Sequence, residues 1–271
     1  MDNFAKAKII WDEADRNLEC KHFSKIVEID FHELETVVAE GANMFTSLVE
    51  ELSTGAFLVI RSCFSKEEIY FIKESMLNLQ EKTESTFYKM DRLIPDYWRN
   101  ITPEIAKKYS VPIVKQAAYF FPWNDQKELF ALINRRWRLY KVLGGRSEDF
   151  AEHSKPEEGY VDRIQVVQYH ANSGYLPAHQ DPDHNQRLFI SGYLSKQGHD
   201  FMGGGFWALN SKKEQQELEG LFLPGDMGVG SARIIHGVNK IQGKGGDIRW
   251  FLGLYTNDSD CVKKRKTLQA A

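Results

Sequence analysis

Within the stretch GYLPAHQDPDH (174–184), His179 and Asp181 stand two residues apart. On a β-strand, residues i and i+2 project to the same face, so an imidazole and a carboxylate can meet at one point there. On a helix they would diverge. A second histidine, His236, closes the apolar run SARIIHGV and precedes a glycine. Two imidazoles and one carboxylate make a donor set for a divalent transition metal, and three ligands on one face leave the opposite face open to other molecules. Each histidine alone has a plain structural reading, His179 in a turn and His236 at a strand end. The combination carries the chemistry.

The next strand-like run, GGDIRWFLGLY, places Arg249 among Ile248, Trp250, Phe251, Leu252 and Leu254. Arginine is rarely buried without a partner, and the only local carboxylate is Asp247. The planar guanidinium fork suits bidentate capture of a carboxylate, such as the distal end of a dicarboxylic acid. Pairing with Asp247, or a surface position, is the structural alternative. Two histidines and a carboxylate with open positions is the facial arrangement of non-heme Fe(II) oxygenases. The same ligands could hold zinc for hydrolysis, or serve a non-catalytic cupin-like binding module. A zinc hydrolase has no need of Arg249, however, and the one zincin-like string, His32 to Thr36, lacks its second histidine.

The elements that must position these residues change character near residue 160. Beyond it, DRIQVVQYH, QRLFISGYLS, GGFWAL, DMGVG, ARIIHGV and IRWFLGLY are short β-rich runs separated by Gly, Pro, Asn and Asp, which predicts a sandwich or jelly roll. The first half reads mostly helical. Residues 33–52 have helical apolar spacing with one glycine interruption, and GAFLVI (55–60) is a buried strand. Ser65 and Glu68 form a capping box that opens a helix. Residues 127–145 form another helix, with Phe130, Ile133, Trp137 and Tyr140 on one face, a solvated face carrying Arg135, Arg136 and Arg138, and Gly144-Gly145 as the stop. The segment from 83 to 125 is irregular, aromatic and punctuated by prolines. It reads as a lid over a small molecule or as packing for the N-terminal helices. No repeat is visible.

The skeleton His179, Asp181, His236, Arg249 resembles that of the Fe(II)- and 2-oxoglutarate-dependent dioxygenases. VVQYHANSGYLPAHQD is similar to the lead-in of the prolyl-hydroxylase and phytanoyl-hydroxylase branch, LPGDMGVGSARIIHGV to its approach to the distal histidine, and GAFLVIRSCFSKEE to its first strand and helix. The resemblance covers residues 55–80 and 160–256. It implies a mainly β core with flanking helices (α+β), a double-stranded β-helix of the jelly-roll, cupin-like kind preceded by N-terminal helices. It implies one domain over 1–271: helical support and lid at 1–158, core at 159–256, basic tail at 257–271.

His179, Asp181 and His236 would then ligate Fe(II), and Arg249 with Tyr193 would bind the distal carboxylate of 2-oxoglutarate. Tyr169 would line the pocket. Many relatives carry a serine or threonine two residues after the arginine; here it is Phe251, which leaves that hydrogen bond to Tyr193. Asp183, Arg187 and Trp123 are candidates for touching substrate. The implied reaction consumes O2 and 2-oxoglutarate, yields succinate and CO2, and uses ascorbate as an auxiliary reductant. The retained Asp181 predicts hydroxylation, desaturation or cyclisation, since halogenating relatives replace that carboxylate.

Composition narrows the partners. A formal net charge of −3 gives no reason to expect nucleic acid or an anionic membrane, and no apolar run reaches membrane-spanning length. Three scattered cysteines and an N-terminus without a signal-peptide core predict a reduced, cytoplasmic protein. A small-molecule metabolite is the expected substrate, with a peptide or protein side chain as the alternative.

Overall fold

Two β-sheets face each other, and the period-two alternation along their strands decides what lies between them. In a computed structural model of the chain, residues 2–17, 20–40, 43–86, 95–155 and 159–258 are described. The order is α1 (Asn3–Asn17), β1 (Lys25–Asp30), α2 (Phe31–Glu40), α3 (Asn43–Ser53), β2 (Ala56–Arg61), α4 (Lys66–Lys82), β3 (Tyr97–Ile101), α5 (Pro103–Lys108), β4 (Lys115–Phe120) and α6 (Lys127–Leu143). There follow β5 (Tyr160–His170), β6 (Leu176–His179), β7 (Leu188–Tyr193), β8 (Gly203–Leu209), β9 (Gln215–Glu217), a 3-10 turn at Glu219–Leu221, β10 (Met227–Ser231), β11 (His236–Gln242) and β12 (Ile248–Asp258). The larger sheet has the order β1-β2-β10-β7-β12-β5-β4-β3, and the smaller β6-β11-β8-β9.

One face of the larger sheet takes the helices. Leu58, Ile60, Ala118, Phe120, Ile164 and Val166 pack there against α2, α3, α4 and α6, with Trp137 at the centre of α6. The alternate residues point the other way. Phe57, Val59, Phe189 and Tyr193 meet Phe206 and Ala208 of the smaller sheet, while Tyr97, Ala117, Tyr119, Val167 and Tyr169 meet Val238 and Ile241. A register slip of one residue on any of these strands would exchange the helix-facing set for the inner set. Ion pairs fix the helices in place. Lys141 of α6 reaches the buried Asp162 of β5 at 2.6 Å, and Arg136 donates to Glu68 at 2.8 Å. Among the described residues no helix is long and apolar enough to cross a membrane.

The strand runs read after residue 160 are present except that ARII (232–235) is a turn, so His236 opens β11 rather than closing a strand; the capping box of α4 and the strand at 56–61 are present too. Three further expectations need correction. The periodicity at 33–52 belongs to two helices, α2 and α3. Arg136 is not solvated: it is buried between Glu68 and the Cys63 carbonyl. And the segment read as an irregular lid contains β3, α5 and β4, whose strands extend the larger sheet at its β5 edge. Their pattern was masked because the inner face of these two strands carries Arg99 and Lys115 where an apolar residue is expected. The basic tail lies, from residue 259 on, outside the described residues.

Candidate metal centre

The smaller sheet brings the three proposed ligands together. His179 ends β6 and pairs in register with His236, the first residue of β11. Asp181 lies just past β6, so it is not carried by the strand. Its backbone N–H donates instead to the Ala232 carbonyl at 3.0 Å. Gln180, between the ligands, donates its amide to the Arg233 carbonyl. Arg233 in turn holds Asp183 at 2.6 Å. The two ligand-bearing segments are thus stitched to each other before any metal arrives. One donor atom from each of His179, Asp181 and His236 lies within 4.8 Å of the others, close enough to share an ion.

Hydrogen bonding sets which nitrogen is offered. Nδ1 of His179 lies 3.0 Å from the Pro177 carbonyl, and Nδ1 of His236 lies 2.9 Å from that of Ile234. A carbonyl only accepts, so Nδ1 carries the proton and Nε2 keeps the lone pair a metal needs. His179 Nε2 stands 3.6 Å from Asp181 Oδ1. Burial drives the His236 pKa down to about 4, with the Asp181 carboxylate pulling weakly the other way. The His236 imidazole is therefore neutral at pH 7, as a candidate ligand must be. Phe189 stacks on its ring at 4.5 Å and fixes its plane.

Arg249 is fully buried, and its partner is not Asp247. The guanidinium Nε and Nη2 donate to Glu219 Oε1 and Oε2 at 2.7 and 2.8 Å. Asp247 accepts from the Lys244 N–H instead. Glu219 also accepts from the Phe206 N–H at 2.7 Å. Gly205 makes room for it, since a Cβ there would lie 2.6 Å from Glu219 Cγ, on a backbone with φ of +108°. This leaves Arg249 Nη1 buried with no partner, and the Tyr193 hydroxyl is in the same condition. The guanidinium carbon is 5.7 Å from the Tyr193 ring and 5.5 Å from that of Tyr169. Unsatisfied buried donors are rare in native proteins, and two of them side by side call for an explanation.

The remaining candidates are placed as follows. Arg187 is held by Asp12 and Asp15 of α1, at 2.5 and 3.0 Å. Asp183 is held by Arg233. Both fasten the ligand loop to its surroundings. Trp123 stacks on Phe121 at 5.1 Å, at the margin of the inner aromatic group. His32 is on the exposed surface of α2 and bonds Glu35. Glu219 was not foreseen. Its one sequence signal is an acid between Leu218 and Leu221 just ahead of a Pro-Gly turn.

No protein-family model matches the sequence, and no curated protein matches it. Solved structures do. The chain is similar to a Pseudomonas putida prolyl-4-hydroxylase at 14% identity, covering 77% of this chain and 96% of that one with a TM-score of 0.51. It is similar to a Trichoplax adhaerens prolyl hydroxylase, solved with a hypoxia inducible factor peptide fragment, at 16% identity, 82% and 90% coverage and a TM-score of 0.51. A third is JOX2, solved with 2OG, Fe and JA, at 13% identity, 92% and 82% coverage and a TM-score of 0.51. The fold of this chain, a β-rich core with flanking helices, is that of these two prolyl hydroxylases and of JOX2.

Proposed function

We propose that this chain is an Fe(II)- and 2-oxoglutarate-dependent oxygenase that oxidises, most simply hydroxylates, a C–H bond of a small molecule. One observation carries the reading: one donor atom from each of two imidazoles and a carboxylate converge within 4.8 Å, in the same interior as the unpartnered Arg249 Nη1 and Tyr193 hydroxyl. The two facing sheets are the halves of a double-stranded β-helix. The donor set fits Fe(II), with three protein ligands on one face and the opposite positions free for a chelating 2-oxo acid and O2. When bound, iron and cosubstrate supply the oxidising power: one oxygen atom of O2 ends in succinate, released with CO2, and the other in the oxidised product.

The chain's own residues supply placement. Arg249 Nη1 and the Tyr193 hydroxyl donate to the distal carboxylate of 2-oxoglutarate, an end-on grip in place of the side-on fork, whose other edge Glu219 occupies. Glu219 thereby fixes the plane in which Nη1 points. Phe189, Phe206 and Phe222 wall this end of the interior with apolar surface and exclude water, which strengthens both charge-assisted bonds. JOX2 was solved with the small ligand JA and the Trichoplax enzyme with a peptide fragment. For this chain the inner aromatic group of Tyr97, Tyr119 and Phe121, enclosed between the sheets, supports the small molecule.

Purified chain supplied with Fe(II), 2-oxoglutarate and O2 is expected to release succinate slowly even without substrate. His179→Ala should reduce the release to the iron-free background. No succinate under any condition, with zinc held against exchange by Fe(II), would contradict the assignment and favour a hydrolase.

A further inference from the structure

Each segment that carries candidate metal ligands also presents an arginine to α1. Arg187 stands six residues after Asp181, and Arg233 three residues before His236. One carboxylate of α1 takes both. Asp15 Oδ1 accepts from Arg233 Nη2 at 2.8 Å, and its Oδ2 accepts from Arg187 Nη2 at 3.0 Å. Among the described residues no other side chain joins the two guanidinium groups. Asp12, three residues earlier on the same helix face, holds Arg187 alone, and Asp183 holds Arg233 alone.

The packing of α1 delivers that carboxylate. Ala7 and Trp11 are buried, and the Trp11 indole N–H donates to the Leu143 carbonyl at 2.8 Å. Gly145 lets the helix close in: its φ is +68°, and a Cβ there would lie 2.8 Å from Lys8 Cα and 2.9 Å from Arg187 Nη1. From the arginines the links run by backbone to the ligands. The Arg233 carbonyl accepts from the Gln180 amide, and the Ala232 carbonyl accepts from the Asp181 N–H. The Ala232 N–H donates to the Arg187 carbonyl at 2.9 Å. Ion pairs open to solvent contribute little. These are not open: the Arg187 side chain is 9% exposed and that of Arg233 15%.

We propose that Asp15 is a positioning residue of the metal centre: by bridging Arg187 and Arg233 it fixes the arm that carries Asp181 against the arm that carries His236. The inference rests on the metal-centre part of the oxygenase reading and needs neither the cosubstrate nor the substrate. Asp15 bonds none of the three ligands and acts through the two arginines. Docking of α1 and capture of the metal are then coupled, and by reciprocity each strengthens the other by the same factor. The two acids of α1 differ in kind. Losing Asp12 leaves the bridge standing, and losing Asp15 removes it.

The test is anaerobic equilibrium dialysis of the full chain against Fe(II), beside thermal midpoints of the metal-free proteins. Asp15→Asn and Asp15→Ala should each weaken Fe(II) binding about ten-fold, the lower end of what outer partners of metal ligands contribute. Asp12→Asn removes an equal charge from the same face and should change the affinity by less than about two-fold. A residue that served only the stability of α1 would lower the midpoint and leave the Fe(II) affinity of the folded protein unchanged. That result overturns the proposal, as does an equal loss of affinity in Asp12→Asn. Amide hydrogen exchange gives a reading that needs no variant and decides the matter if the Asp15 variants do not fold. Fe(II) should slow exchange along α1 of the wild type about ten-fold, the same factor by reciprocity. Exchange unaltered by the metal would also overturn the bridge. Wild type that binds Fe(II) as tightly as Asp15→Asn sinks this proposal alone; wild type that binds no Fe(II) sinks the metal centre and the oxygenase reading with it.

Discussion

Asp181→Ala abolishes Fe(II) binding while leaving the fold intact. Equilibrium dialysis should find one Fe(II) per wild-type chain and an affinity lower by more than about 100-fold in the variant, because loss of outer-sphere partners alone costs 10- to 100-fold. The fold survives because the backbone N–H that positions this residue, donated to Ala232, is untouched. The remaining pair, His179 and His236, cannot hold the metal facially. Undiminished Fe(II) binding in Asp181→Ala would place the metal elsewhere.

Arg249→Met is expected to cost the metal-free protein about 3 to 5 kcal/mol, the usual penalty for leaving one member of a buried ion pair uncompensated. For a chain of this length the midpoint falls by on the order of 10 °C. The cause is Glu219, which is 2% exposed and would keep only the Phe206 N–H. Pairing the change with Glu219→Leu should recover most of the loss, since two apolar residues have no charge to desolvate. The double variant also separates stability from function: it folds, yet lacks the Nη1 donor and binds 2-oxoglutarate weakly. A single variant that melts within about 2 °C of wild type would show that the pair does not hold the 3-10 turn to β12. Thermal and urea denaturation of all three proteins checks both statements.

The cluster of candidate metal ligands was legible because the pattern that carries it is local. H-x-D sits at the end of a four-residue strand, and His236 opens the strand that pairs with it, so two short motifs needed only one register to meet. Arg249 was legible as a buried charge in want of a partner. The partner was not, because Glu219 lies 30 residues away in a polar run that reads as a surface loop. The strands β3 and β4 were missed for the same physical reason that makes them interesting: charge replaces apolar alternation on the face turned inward. Asp183 and Arg187 sit beside the ligands in sequence, which suggested contact with substrate, but proximity along the chain put them in the loop's own anchoring to α1 and Arg233. Sequence spacing finds groups that share a strand. It does not find groups that meet only when two sheets close.

The most direct measurement is the visible spectrum of metal-free protein, kept anaerobic, as Fe(II) and then 2-oxoglutarate are added. A weak charge-transfer band that appears only with both, vanishes in His179→Ala and needs a higher 2-oxoglutarate concentration in Tyr193→Phe is the expected result. It would mean that the 2-oxo acid chelates iron at the triad while its far end is held by the orphaned donors. No band, in protein that retains zinc through chelation, would contradict the assignment at its root.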